Sequence, residues 1–138
     1  MAKKRIAVLF GGASADHAAS LHTAYSVLSS LPKEIEPLAI GITRAGRWLF
    51  YPGSYENIKD GSWEQDSDCC SCVISPDMTN KGVIKIISDG ESTIHRIDAV
   101  FPVLHGKYGE DGRVQGLCKL AGLPVIGNDF AAAALCND

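Results

Sequence analysis

Two segments of the 138-residue sequence gather side chains suited to ligand chemistry. The first, Gly11-Gly12-Ala13-Ser14-Ala15-Asp16-His17, directly follows the apolar run Arg5–Phe10. The second runs from His105 through Tyr108, Gly109, Glu110 and Asp111 to Gly112, after the apolar run Asp98–Leu104. Glycines at such places free the backbone to approach a ligand or to take a positive φ. Asp16 offers a carboxylate to a substrate cation, and His105 a hydrogen bond to a polar ligand. Each has an ordinary alternative. Gly11-Gly12 alone is also what a tight strand-to-helix turn needs, and an acidic residue at a helix start is favoured by the helix dipole. His105 alone reads equally as a satisfied surface histidine. Glu110 and Asp111 read as capping and bracing residues, because two carboxylates there would repel a phosphate. Neither G-x-G-x-x-G nor a Walker A lysine is present, which disfavours a nucleotide-binding domain of Rossmann type.

The elements that must carry these loops follow from periodicity. Arg5–Phe10 is short, apolar, rich in β-branched residues and stopped by glycines, as in a buried parallel strand. Ser14 and Asp16 fit a helix N-cap and first turn. Ala18, Leu21, Tyr25 and Leu28, with Ala24, Val27 and Leu31, then recur at helical spacing up to Pro32. Glu36–Ile42 reads as the next strand, completing a right-handed βαβ unit. Arg47–Tyr51 is expected to pair back as a hairpin strand. Residues 52–68 are polar and read as a surface excursion with one short helix. Cys72–Ser75, Val83–Ile87 and Thr93–Arg96 suggest a small antiparallel insertion. Asp98–Leu104 returns to the buried-strand pattern, with Pro102 favouring a sheet edge or a bulge. Val114, Leu117, Cys118 and Ala121 mark the face of a further helix. Gly122–Gly127 suggests a short strand, and Phe130–Cys136 a last helical segment. The fold class expected is an open, mainly parallel α/β sheet with flanking helices, plus the small antiparallel insertion. In such sheets ligands bind beyond the carboxyl ends of the strands, where both candidate loops lie.

Composition narrows the function classes. Residues 1–138 suffice for one domain, and 46% apolar against 21% charged residues fits a globular chain. A net charge of −3 gives no basic surface for nucleic acid, and no apolar run approaches the length of a membrane span. The N-terminal apolar stretch is too short for a signal peptide, which points to a cytoplasmic protein. Of the five cysteines three cluster as Cys69-Cys70-Ser71-Cys72, and the four histidines are scattered. That pattern is neither a disulfide framework nor a zinc site, so no metal site is expected.

The run His105-Gly-Lys-Tyr-Gly-Glu-Asp-Gly-Arg-Val-Gln-Gly116 resembles the H-G-x-x-G-E-D-G-x-x-Q-G signature of D-alanine–D-alanine ligases. The opening strand with Gly11-Gly12-x-Ser14-x-Asp16 is similar to the N-terminal signature of the same family. Leu120-Ala-Gly-Leu-Pro-Val-Ile-Gly127 and Ala133-Ala-Leu-Cys136 resemble the stretch that follows in these ligases. Ile40-Gly-Ile-Thr-x-x-Gly-x-Trp48 is similar to the vancomycin-resistance-like branch. The resemblance spans the whole chain.

The resemblance implies a Rossmann-like pre-ATP-grasp domain and a place in peptidoglycan precursor synthesis. Such ligases activate the carboxylate of a first D-alanine as an acyl phosphate, using ATP and Mg²⁺. The amine of a second D-alanine, or D-serine or D-lactate in its place, then attacks. Asp16 stands where the family has a glutamate for the ammonium of the first D-alanine. It is one methylene shorter, roughly 1.5 Å of reach. The next family glutamate is Ala18 here, and the valine after it is Ala19. The resemblance places His105 near the reacting groups and Tyr108 in the same loop. Gly11 and Gly12 would admit the substrate closely, beside Ser14. The ATP-grasp lobes, with the ATP and Mg²⁺ ligands, come after the Ala-Leu-Cys stretch in the family. The chain thus reads as an N-terminal substrate-binding lobe, unable alone to hydrolyse ATP or form dipeptide. Homodimers built on N-terminal lobes are also implied by the resemblance. The alternative is a non-catalytic small-molecule-binding or interaction module with the same α/β fold.

Overall fold

The computed structural model of the protein describes residues 3–13, 16–86, 90–104 and 110–127. The expected helical segment Phe130–Cys136 and the candidate site residues Ser14, His105 and Tyr108 lie outside the described residues. The sheet is built around β1 (Lys4–Gly11). On one side β1 pairs in parallel with β2 (Ile35–Ile42), and on the other with β7 (Ala99–Val103).

A central parallel strand is covered on both faces, which is why Arg5–Phe10 lacks polar alternation. Ile6, Val8 and Phe10 face one core cluster, together with Leu21, Ala24 and Leu28 of helix α1 (His17–Ser30). Ala7 and Leu9 face the opposite cluster, with Val114, Cys118 and Ala121 of α3 (Glu110–Ala121). The two helices therefore flank opposite faces. The β1–α1–β2 crossover leads away from β7. The chain leaving β7 through α3 returns on β7's far side, where Val125 makes a parallel bridge with Val100. The expected strand around Gly122–Gly127 is thus a single bridge.

The sheet is mixed, in the order β6-β5-β4-β3-β2-β1-β7. β3 (Trp48–Phe50) folds back antiparallel on β2, as the hairpin pattern predicts. The strands β4 (Cys70–Ile74), β5 (Gly82–Ile86) and β6 (Ser92–Arg96) continue from β3 by antiparallel pairing. The expected insertion is therefore an extension of the main sheet. Pro102 lies on β7, which ends the strand order. The Val100 N–H and C=O both bond the 124–126 segment, so two residues on Pro102 also turns its nitrogen away from β1. Its missing donor costs the β1 ladder nothing.

Residues 52–68 differ from the surface excursion expected. They hold the short helix α2 (Glu56–Lys59) and a 3₁₀ turn (Ser62–Gln65), and Ile58 and Trp63 are wholly buried in the α1-side core. Trp63 meets Phe10 edge-on at 5.0 Å between ring centroids. Isolated apolar residues in a polar run leave no periodic signal, so their burial shows only in the tertiary packing.

Candidate functional site

The carboxyl ends of β1 and β7 form the point where the crossovers diverge, and a crevice opens there in sheets of this kind. The chain leaves β1 through Gly11 (φ +90°) and Gly12 (φ +98°). Both values favour glycine. A Cβ on Gly11 would sit 2.2 Å from the Ile42 carbonyl oxygen, so this position also needs the missing side chain for space. The Gly12 N–H donates to the same oxygen at 2.8 Å, tying the loop to the end of β2.

Asp16 takes the N-cap position of α1 and is exposed, and its carbonyl accepts the Ser20 N–H at 3.1 Å. The structure thus brings Gly11, Gly12 and Asp16 to one strand end. Leu104 ends the β7 side of the crevice, and α3 begins six residues later at Glu110. A cleft of about 230 Å³ lies between these ends, lined by Ala13, Ile42, Trp48, Leu104, Arg113 and Val114. Arg113 places a cation beside it, from a position that the sequence shows only as variable inside the glycine signature.

A larger cleft of about 650 Å³ opens on the outer side of the start of α1, between His17, His22, Thr43, Arg44, Lys59 and Asp60. Asp60 accepts hydrogen bonds from the Ser62 hydroxyl at 2.6 Å and the Ser62 amide at 2.9 Å, which hold its carboxyl below the usual range. The Lys59 ammonium lies 5.0 Å from the centroid of the Tyr25 ring.

Two further polar residues lie in the first turn of α1. His17 and Ser20 are buried, and both reach back to the glycine loop. His17 Nδ1 lies 2.6 Å from the Gly12 carbonyl oxygen. Ser20 Oγ accepts the Gly11 N–H at 2.8 Å and donates to the Val103 carbonyl. The helical periodicity of α1 in the sequence marks only apolar residues. The available signal was position: residues 17, 20, 21, 24 and 28 share the buried face, so polar side chains among them must find internal partners.

Among the described residues no group of three or more His, Cys, Asp or Glu is placed to hold a metal ion, and no helix is long and apolar enough to cross a membrane. Burial pushes the Cys69 and Cys118 thiols up to about 11 and the Cys72 thiol up to about 12.

The fold is an open α/β lobe in which a glycine loop and a helix start meet at the switch point of the sheet, the place where ligands bind in sheets of this kind. The chain belongs to the D-ala D-ala ligase N-terminus family, whose model matches residues 5–128. It is 46% identical to a D-alanine–D-alanine ligase of Caldicellulosiruptor bescii over the whole of this chain and 37% of that protein. It is 39% identical to the vancomycin/teicoplanin A-type resistance protein VanA of Enterococcus faecium, again over the whole chain and 38% of that protein. Among solved structures, the VanG D-Ala:D-Ser ligase of Enterococcus faecalis superposes with a TM-score of 0.83 at 43% identity. That match covers 99% of this chain and 39% of VanG. The chain therefore spans less than two-fifths of the length of these relatives.

Proposed function

We propose that residues 1–138 act as the N-terminal substrate lobe of an ATP-dependent ligase joining D-alanine to a second D-alanine, D-serine or D-lactate, in the cytoplasmic synthesis of peptidoglycan precursors. The observation that supports this most is the coincidence of the family match with the switch-point crevice. Asp16 stands exposed at the mouth of the Gly11-Gly12 loop. Its carboxylate binds the ammonium of the first D-alanine, and the two glycines let the substrate lie against backbone. His105 and Tyr108 contribute from the loop after β7, and Ser14 from the loop after β1. In this reading, carboxylate activation by ATP and Mg²⁺ belongs to the ATP-grasp lobes of the whole ligase.

The test is ADP release with D-alanine and Mg·ATP, run on the 138-residue chain and on a polypeptide that joins it to ATP-grasp lobes. The expected result is D-alanine-dependent ADP release matched by dipeptide in the joined form, and none above background from the chain alone. Turnover by the chain alone, or ADP release independent of D-alanine in the joined form, overturns the proposal.

A further inference from the structure

We infer that His17 and Ser20 are positioning residues, which fix the backbone of Gly11-Gly12, and so the approach of Asp16, against the ends of β2 and β7. The inference rests on the substrate-lobe reading above and extends it to two residues that touch no substrate.

The geometry begins with a missing rung. Phe10 is the last residue of β1 paired with β7, opposite Val103. In a parallel ladder the next bond would run from the Gly11 N–H to the Val103 carbonyl. The Ser20 hydroxyl stands between them instead, accepting from Gly11 and donating to Val103. One inserted oxygen holds the two strand ends apart and leaves neither backbone group unpaired. The crevice thus opens where the two candidate loops depart.

His17 acts on the next residue. A carbonyl oxygen carries no proton, so the 2.6 Å contact requires His17 to donate from Nδ1 to Gly12. The ring also packs on Gly11, where a Cβ would come within 3.0 Å of His17 Cε1. With the Gly12 N–H held by Ile42, the Gly11 N–H and both polar groups of Gly12 have fixed partners. A pair of glycines would otherwise be the freest part of the loop. Ser20 is 0% exposed and His17 3%, so both act through the backbone they hold. Burying a polar side chain is costly unless its bonds are made, and both side chains make theirs with the backbone of this loop and its neighbouring strand.

The test uses the active joined polypeptide. His17→Asn keeps an N–H near the place of Nδ1, whereas His17→Gln moves its amide toward the place of Nε2. His17→Gln is expected to raise KM for the first D-alanine tenfold or more, with KM for ATP within twofold. His17→Asn is expected to stay within threefold of the parent for both. Equal KM values for the two variants overturn the role of His17. Amide hydrogen exchange in the same polypeptide needs no substrate and so separates this inference from the ligase reading. Ser20→Ala should speed exchange at Gly11 at least tenfold relative to Val8, and Ser20→Cys, which keeps a weak donor and acceptor, should speed it less. An unchanged Gly11-to-Val8 ratio in both serine variants overturns the role of Ser20.

Discussion

At the scale of single residues, the buried stripe of α1 carries two polar side chains, His17 and Ser20, among apolar ones. Ser20 satisfies two backbone groups at once, so Ser20→Ala leaves Gly11 and Val103 without partners. Each buried orphan typically costs about 1–3 kcal/mol, so urea denaturation should register a loss of roughly 2–6 kcal/mol. Gly11 is constrained twice, by φ of +90° and by the Ile42 carbonyl. Gly11→Ala should therefore destabilise by more than about 1 kcal/mol, read as a lower urea midpoint. The buried thiols give a pH dependence of definite sign. Cys72 and Cys118 titrate at about 12 and about 11 in the fold, against roughly 8.5 in the unfolded chain. The folded state then holds protons that the unfolded state has released, so stability is full below pH ~8.5 and falls as pH rises toward 11. A urea midpoint that falls between pH 8 and pH 10.5, with a shallower fall in Cys72→Ala, is expected. Asp16, Gly11 and Gly12 were legible in the sequence because carboxylates and glycine pairs after a strand are conspicuous. His17 and Ser20 were not, because their purpose depends on Val103, a residue 83 positions from Ser20 in the chain.

At the scale of elements, legibility followed how regular each environment is. β1 and α1 repeat one environment over several residues, so their boundaries in the sequence agree with the structure to within about two residues. The α2 region repeats nothing. Its contribution is two anchors, Ile58 and Trp63, dropped into the α1-side core from an otherwise polar segment. Trp63 lies over Gly41 of β2, where a Cβ would stand 2.3 Å from the indole ring. Gly41→Ala should therefore cost about 1–3 kcal/mol through overpacking, and Trp63→Ala about 3–5 kcal/mol through the cavity it leaves. Thermal unfolding measures both. Their joint effect should be smaller than the sum, because the alanine at 41 occupies part of the space that the tryptophan vacates. Strictly additive losses would show that residue 41 and the indole do not share that space.

At the scale of the whole molecule, the sheet separates a scaffold from a working end. The antiparallel run β3–β6 lengthens the sheet on one side, while the parallel group β2-β1-β7 supplies the switch point and its loops. That the Gly11-Gly12 loop follows the carboxyl end of β1 was readable from the apolar run that precedes it. The joining of β4–β6 to the same sheet was not, because short alternating strands carry no mark of which neighbour they pair with. The chain spans less than two-fifths of the lengths of the C. bescii ligase, VanA and VanG, and in the proposed reading it holds one substrate for chemistry completed by other lobes. The most direct measurement is the KM for the first D-alanine in the joined polypeptide carrying Asp16→Ala. Loss of the counter-charge to a bound ammonium is expected to raise that KM at least tenfold and to leave the KM for ATP within twofold. An unchanged KM for D-alanine would contradict the assignment of this loop as the substrate site.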